Sequence, residues 1–152
     1  MVALVVLRYR KCQEMPFTLK AEDCMVRNVV TVHPEMDAYE AIGLLLKHEI
    51  SGMPVVDAAG KLVGILSEKD CLQTLLDAQY HDLPTALVKD LMTPDVNTIT
   101  PDTDILKIAE TFLHEKFRRL PVVDKGQLVG QVSRRDVLRA IEKVRWGPAK
   151  EA

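Results

Sequence analysis

The sequence predicts an α/β (α+β) fold made of two βαββα repeats, packed sheet to sheet about a pseudo-two-fold axis. Three observations predict it. The stretch DCMVRNVVTVHPEMDAYEAIGLLLKHEISGMPVVD, Asp23 to Asp57, lies over DLMTPDVNTITPDTDILKIAETFLHEKFRRLPVVD, Asp90 to Asp124, without a gap. PVVDAAGKLVGILSEKD, Pro54 to Asp70, then returns as PVVDKGQLVGQVSRRD, Pro121 to Asp136, one residue shorter in the turn. Finally, half of a 152-residue chain would bury too little of its surface to stand alone, so the halves must fold together. Shared hydrophobicity alone would not also match Met25 with Met92, Pro34 with Pro101, Gly64 with Gly130 and Ser67 with Ser133.

Each repeat opens on a β-branched run, VVTVH or VNTIT, which a proline (Pro34, Pro101) stops. Asp37 reads as an N-cap, with Glu40 three residues on to complete a capping box. Behind it Ala38, Ala41, Ile42 and Leu45 recur at helical spacing, as do Ile105, Ile108, Ala109 and Phe112 in the second copy. MPVVD and KLVGILS, joined by a Gly-containing turn, read as a hairpin. A last helix per copy carries the stripes Leu72, Leu75, Leu76 and Val137, Leu138, Ile141. These signals divide the chain into an extension (1–22), a repeat (23–80), a linker (81–89), a second repeat (90–146) and a tail (147–152).

Composition excludes several classes. Hydrophobic residues make up 47% and charged residues 28%, as in globular proteins, and the formal net charge of −2 attracts neither nucleic acid nor an anionic membrane. Cys12, Cys24 and Cys71 show no paired spacing, which argues for bystander thiols in a reducing compartment. The opening MVALVVLRYRK is apolar before it is basic, the reverse of a secretory signal, and too short in its apolar run to span a bilayer. A cytoplasmic location is expected, with no membrane partner. His33, His48, His81 and His114 lack metal-ligand spacing, and no phosphate loop, dinucleotide fingerprint or nucleophile elbow occurs. Neither a metal, a catalytic cofactor nor an enzyme is expected. Trp146 reads as cover for an apolar edge.

The chemistry concentrates in Gly-x-x-Ser-x-x-Asp, where a strand meets a helix. Ser67 and Ser133 stand at N-cap positions, where free backbone N–H groups attract an anion such as phosphate. Asp70 and Asp136, one turn in, could accept two hydrogen bonds from the vicinal diol of a ribose. The same spacing also fits a capping box, in which the acid bonds back to its own N-cap amide and stabilises the helix by about 1 kcal/mol. Both readings stand at this level, because a duplicated helix needs a cap in each copy.

The complete pattern resembles the cystathionine-β-synthase (CBS) domain. It comprises hydrophobic-Pro-Val-Val-Asp, a turn, Leu-Val-Gly-x-x-Ser-x-x-Asp and the upstream TVHPEMDAYEA, and the match runs from about Asp23 to Lys143. Two copies in tandem form the CBS pair, or Bateman module. The resemblance implies a regulatory module without chemistry of its own. It would bind AMP, ADP or ATP between the repeats, with S-adenosylmethionine as a further candidate, and report energy state to an unidentified protein partner. It also implies ribose contacts at Asp70 and Asp136 and hydroxyl contacts at Ser67 and Ser133. Ile50, Ser51 and Met53 would line one half of the cleft, and Arg118, Arg119 and Leu120 the other. The strands near Val29–Val32 and Val96–Ile99 would flank the adenine.

The copies differ in charge. The second offers Arg118, Arg119, Arg134 and Arg135 around Ser133, where the first has Ser51, Gly52, Glu68 and Lys69. Arginine forks suit phosphate oxygens, so the Asp136 site is expected to bind phosphorylated adenosine more tightly than the Asp70 site. The apolar stripes, Leu44–Leu46 included, lead to the expectation of a homodimer. Two alternatives remain. One is a non-catalytic dimeric scaffold with vestigial sites; the other, weaker, is nucleic-acid binding through the basic second repeat.

Overall fold

The hairpins form where side-chain alternation and the turn signals coincide. In a computed structural model, which describes residues 19–81 and 86–146 except the side chains at 75, 77 to 81, 145 and 146, β1 (Gly52–Val56) pairs antiparallel with β2 (Leu62–Ser67). β3 (Arg119–Asp124) pairs in the same way with β4 (Gln127–Ser133). The longer first turn is held by Asp57, whose Oδ1 accepts from the amides of Ala59 and Lys61, each at 2.9 Å. Around the hairpins stand α1 (Ala21–Cys24), α2 (Ala38–Lys47), α3 (Glu68–His81), α4 (Val88–Leu91), α5 (Ile105–His114) and α6 (Arg134–Trp146). Asp37 caps α2 by accepting from the amides of Tyr39 at 2.8 Å and Glu40 at 3.3 Å, while Asp104 caps α5 through Leu106. The return bond expected from Glu40 does not form; its side chain is exposed.

The opening strand of each repeat is shorter than its β-branched run predicts. It shrinks to one parallel bridge, Val32 with Val55 and Ile99 with Val122. Val32 donates to the Pro54 carbonyl at 3.1 Å and accepts from the Val56 amide at 2.9 Å; Ile99 repeats this with Pro121 and Val123. The next bond of a parallel ladder would need an N–H from Pro54 or Pro121, and proline has none. Pairing therefore stops.

The repeats are interlocked. Thr93, at the head of the second repeat, pairs antiparallel with Ile65 on β2, and Val26, at the head of the first, pairs with Gln131 on β4. Val88 and Lys89 donate to the carbonyls of Met36 and Pro34, while Ala21 and Glu22 donate to those of Thr103 and Pro101. Each of these bonds in one direction has its counterpart in the other, which is the pseudo-two-fold relation written in hydrogen bonds. Two cores result. Val88 is buried with Val32, Leu45, Met53, Val55 and Leu66, whereas Ala21 is buried with Ile105, Ile108, Phe112, Leu120 and Val132. Each repeat thus completes the core of the other. At about 1.5–3 kcal/mol for each fully buried Val, Leu, Ile or Met side chain, neither hairpin-and-helix unit keeps its core without the exchanged segment.

Not every apolar stripe turns inward. Val137 is buried and Ile141 half-buried, but Leu72, Leu76 and Leu138 are 63%, 56% and 66% exposed. The stripes on α3 and α6 are wider than the face the core covers. Leu44–Leu46 splits likewise, with Leu45 buried, Leu44 half-buried and Leu46 exposed. The 1–18 segment, the side chain of Trp146 and the tail lie outside the described residues.

Candidate functional site

At both strand-to-helix corners the serine and aspartate close on each other. Ser67 donates to Asp70 Oδ2 through its amide at 2.8 Å and its hydroxyl at 2.7 Å, and the Asp70 amide donates back to Ser67 Oγ at 3.2 Å. Ser133 and Asp136 form the same three bonds at 2.8, 2.8 and 3.3 Å. This is the reciprocal capping box, which ties two of the helix's otherwise orphan amides. In each box Oδ2 takes both serine bonds. The other carboxylate oxygen decides what each aspartate can still do.

Those oxygens differ. Asp70 Oδ1 accepts no hydrogen bond from the described residues, and Asp70 is half-buried at the wall of a cavity of about 590 Å³. That volume falls within the range of small-molecule sites. Asp136 is only 9% exposed, and its Oδ1 accepts from Arg139 Nη1 at 3.3 Å.

The cavity is shared between repeats. From the first repeat come Ser51, Met53, Ser67, Lys69 and Asp70, all expected, together with Glu68 and Leu72. From the second come Arg118 and Arg119, also expected, Val96 and Asn97 from the opening run expected to flank the adenine, and Asp95, Lys116 and Phe117, which the sequence reading does not single out. Ile50 packs on the first core, and Ser133, Arg134, Arg135 and Asp136 do not line the cavity. The arginine pair therefore sits with Asp70, whereas its position in the second repeat had grouped it with Asp136. The cause is the neighbouring starts of β1 and β3. Arg119 Nη1 crosses the repeat boundary and donates to the Gly52 carbonyl at 2.8 Å. Arg134 turns the other way, its Nη2 donating to the Phe112 carbonyl in the last turn of α5 at 3.2 Å, where a cation complements the helix dipole. Lys116 and Phe117 were within reach of sequence reasoning, since KFRRL continues the arginine pair by one basic and one aromatic residue.

The thiols beside the two corners are held in their neutral form, chiefly by burial. Burial, then the charges of Asp136 and Asp23, push Cys24 from an ordinary 9.0 up to about 11. Burial, then Asp70 and Glu68, raise Cys71. With a pKa of about 11, roughly one Cys24 in a thousand is thiolate at pH 8, and the thiolate is the reactive form. Iodoacetamide at pH 8 is therefore expected to label Cys24 about 100-fold more slowly than a free cysteine, as read by peptide mass spectrometry, with the rate rising steeply towards pH 11; labelling as fast as free cysteine would contradict the half-buried placement beside Asp136 and Asp23. Because this folded-state value lies above the ordinary one, its contribution to stability is present below pH 9.0 and is lost as the pH rises towards 11. Among the described residues no cluster of three or more His, Cys, Asp or Glu side chains could hold a metal ion, and no helix is long and apolar enough to cross a membrane.

Two interlocked βαββα repeats with capped helix entrances beside a shared polar cavity define a tandem-repeat module. The family model of the CBS domain matches residues 21–77 and again 88–143, and the chain belongs to the CBS domain family. Among solved structures, CBSX2 of Arabidopsis thaliana in complex with AMP is 33% identical with a TM-score of 0.73, the match covering 82% of this chain and 97% of that one. The CBS domain pair of MJ0100, in complex with 5′-methylthioadenosine and S-adenosyl-L-methionine, is 28% identical with a TM-score of 0.67, covering 82% and 97%. Several curated relatives are much longer. The inosine-5′-monophosphate dehydrogenase of Methanocaldococcus jannaschii is 36% identical over 121 residues, 79% of this chain but 23% of that enzyme. The chain likewise spans 41% of the length of MJ1225 from the same organism, at 32% identity over 78% of this chain.

Proposed function

We propose that the protein is a regulatory CBS pair. It binds an adenosine nucleotide (AMP, ADP or ATP) in the cavity between its repeats and passes energy state to a protein partner, without catalysis. The observation that carries this reading is the meeting of Ser67 and Asp70 from one repeat with Lys116, Arg118 and Arg119 from the other around a single cavity of about 590 Å³. Asp70 Oδ1 is the acceptor for the ribose hydroxyls. The cations opposite suit phosphate, and the apolar Val96 and Phe117 suit the base. The complexes of CBSX2 with AMP and of MJ0100 with adenosine-containing ligands support the ligand class. A ligand touching both repeats binds one relative placement of them better than another, and only such a difference can shift a conformation. The message then passes through the outer helices, whose exposed Leu46, Leu113 and Leu138 also suit a homodimer, in the cytoplasm.

Thermal unfolding with and without AMP, ATP and S-adenosylmethionine tests the reading. A ligand at a hundred times its dissociation constant is expected to add about 2.7 kcal/mol of stability. The reciprocal capping boxes favour a second reading, a scaffold whose Ser-x-x-Asp motifs serve folding alone. No shift with any of the three ligands would establish that one in its place.

A further inference from the structure

We infer that the two clefts have divided their labour: one adenosine nucleotide binds per chain, at Asp70, while Asp136 is a structural cap held shut by Arg139. The inference deepens the proposed nucleotide binding and rests on it. The two aspartates make the same bonds to their serines, so the cap itself does not distinguish them. What distinguishes them lies around the second oxygen. Asp136 Oδ1 already accepts a charge-assisted bond from Arg139 at 3.3 Å, and the residue is 9% exposed. A sugar diol would have to displace a cation with neutral hydroxyls, and charge-assisted bonds are roughly twice as strong as neutral ones. In the first repeat the position of Arg139 is held by Gln73, which carries no charge.

A second difference points the same way. Arg134, beside Ser133, is tied to the carbonyl of Phe112, a bond that its counterpart in the first repeat, Glu68, does not make. Two cations near the Asp136 corner are thus engaged elsewhere, which leaves Arg135, exposed beside Ser133, as the remaining one of its arginine pair. Arg134 holds α5, Arg139 holds the aspartate, and Arg118 and Arg119 line the cavity of Asp70. The charge asymmetry visible in the sequence serves the opposite cleft from the one its position suggests.

Titration calorimetry of the full chain with AMP tests this, using wild type, Asp70→Asn, Asp136→Asn and Arg139→Gln, with a thermal melt of each to confirm folding. Wild type is expected to bind one AMP per chain. Asp70→Asn should weaken that binding about tenfold or more, through loss of charge-assisted acceptance, and Asp136→Asn should leave it within about threefold. Arg139→Gln lies on an exposed side chain, so it tests the lock even where Asp136→Asn fails to fold, and it should reveal a second, weaker site. Two equal sites in wild type, or equal losses from Asp70→Asn and Asp136→Asn, would overturn the inference while leaving nucleotide binding intact. An Arg139→Gln protein that still binds one AMP would overturn the lock. No binding of AMP, ADP, ATP or S-adenosylmethionine by wild type would bring down the proposed function and this inference together.

Discussion

Reversing the charge of the arginine pair, Arg118→Glu with Arg119→Glu, is expected to weaken AMP binding by about 100-fold or more. Hydrogen bonds to charged groups contribute about 1.5–3 kcal/mol each, and every 1.4 kcal/mol is a factor of ten, so the loss of two such bonds already reaches that range. The introduced carboxylates then repel the phosphate. Arg118 is exposed and Arg119 half-buried, so part of the attraction is screened, and wild-type affinity should itself fall as salt rises. Fluorescence-free calorimetry at two ionic strengths reads both effects. Lys125→Glu, on the exposed turn between β3 and β4, makes the charge change of one of the two substitutions away from the cavity and controls for bulk charge. Affinity for AMP within threefold of wild type in the double variant would remove the pair from the site. The single variant Arg119→Gln separates the second role of that residue, since it loses the bond to the Gly52 carbonyl and should lower the melting temperature even without ligand.

Gly64→Ala and Gly130→Ala should each destabilise the protein by about 1–3 kcal/mol, the usual cost of forcing atoms into a packed site. A Cβ on Gly64 would lie 2.7 Å from Met92 Sδ and 3.0 Å from the Thr93 carbonyl; on Gly130 it would lie 2.7 Å from Met25 Sδ and 3.0 Å from the Val26 carbonyl. A methionine side chain can yield. The carbonyls cannot move without breaking the Ile65–Thr93 and Val26–Gln131 pairs, in which each amide bonds at 2.9 Å. Urea unfolding of Gly64→Ala, Met92→Ala and the double variant tests the mechanism as a cycle. The double variant should be less destabilised than the two singles summed, because removing Met92 frees the space that the new methyl needs. Strict additivity would mean that glycine and methionine do not share one contact. The damage should fall on the interlock, so a variant that folds should also bind nucleotide more weakly.

The fold was legible because its signals are local and occur twice. Asp37 and Asp104 lie at helix starts in the sequence and cap those helices in the structure, and the two Pro-Val-Val-Asp runs are the strands they suggest. The short opening strands were overestimated for a reason equally present in the chain. β-branched residues favour extended backbone, but a ladder also needs a donor on its neighbour, and Pro54 and Pro121 supply none. The stripes of α3 and α6 misled in another way. Helical periodicity shows which residues share a face but not how much of that face another element covers, and Leu72 and Leu138 remain outside.

The sequence by itself determined the duplication, the hairpin and two long helices of each repeat and the family, because a repeated pattern of Pro, Gly, Ser and Asp is set by backbone and capping rules acting over a few residues. Tertiary structure alone decided which residues meet. The heads cross between repeats, Met92 against Gly64 and Met25 against Gly130, and Arg118 and Arg119 face an aspartate far from them in the chain. The physical reason is that a half too small to close its own core borrows a segment from its twin, and that exchange carries the side chains of one repeat into the cleft of the other.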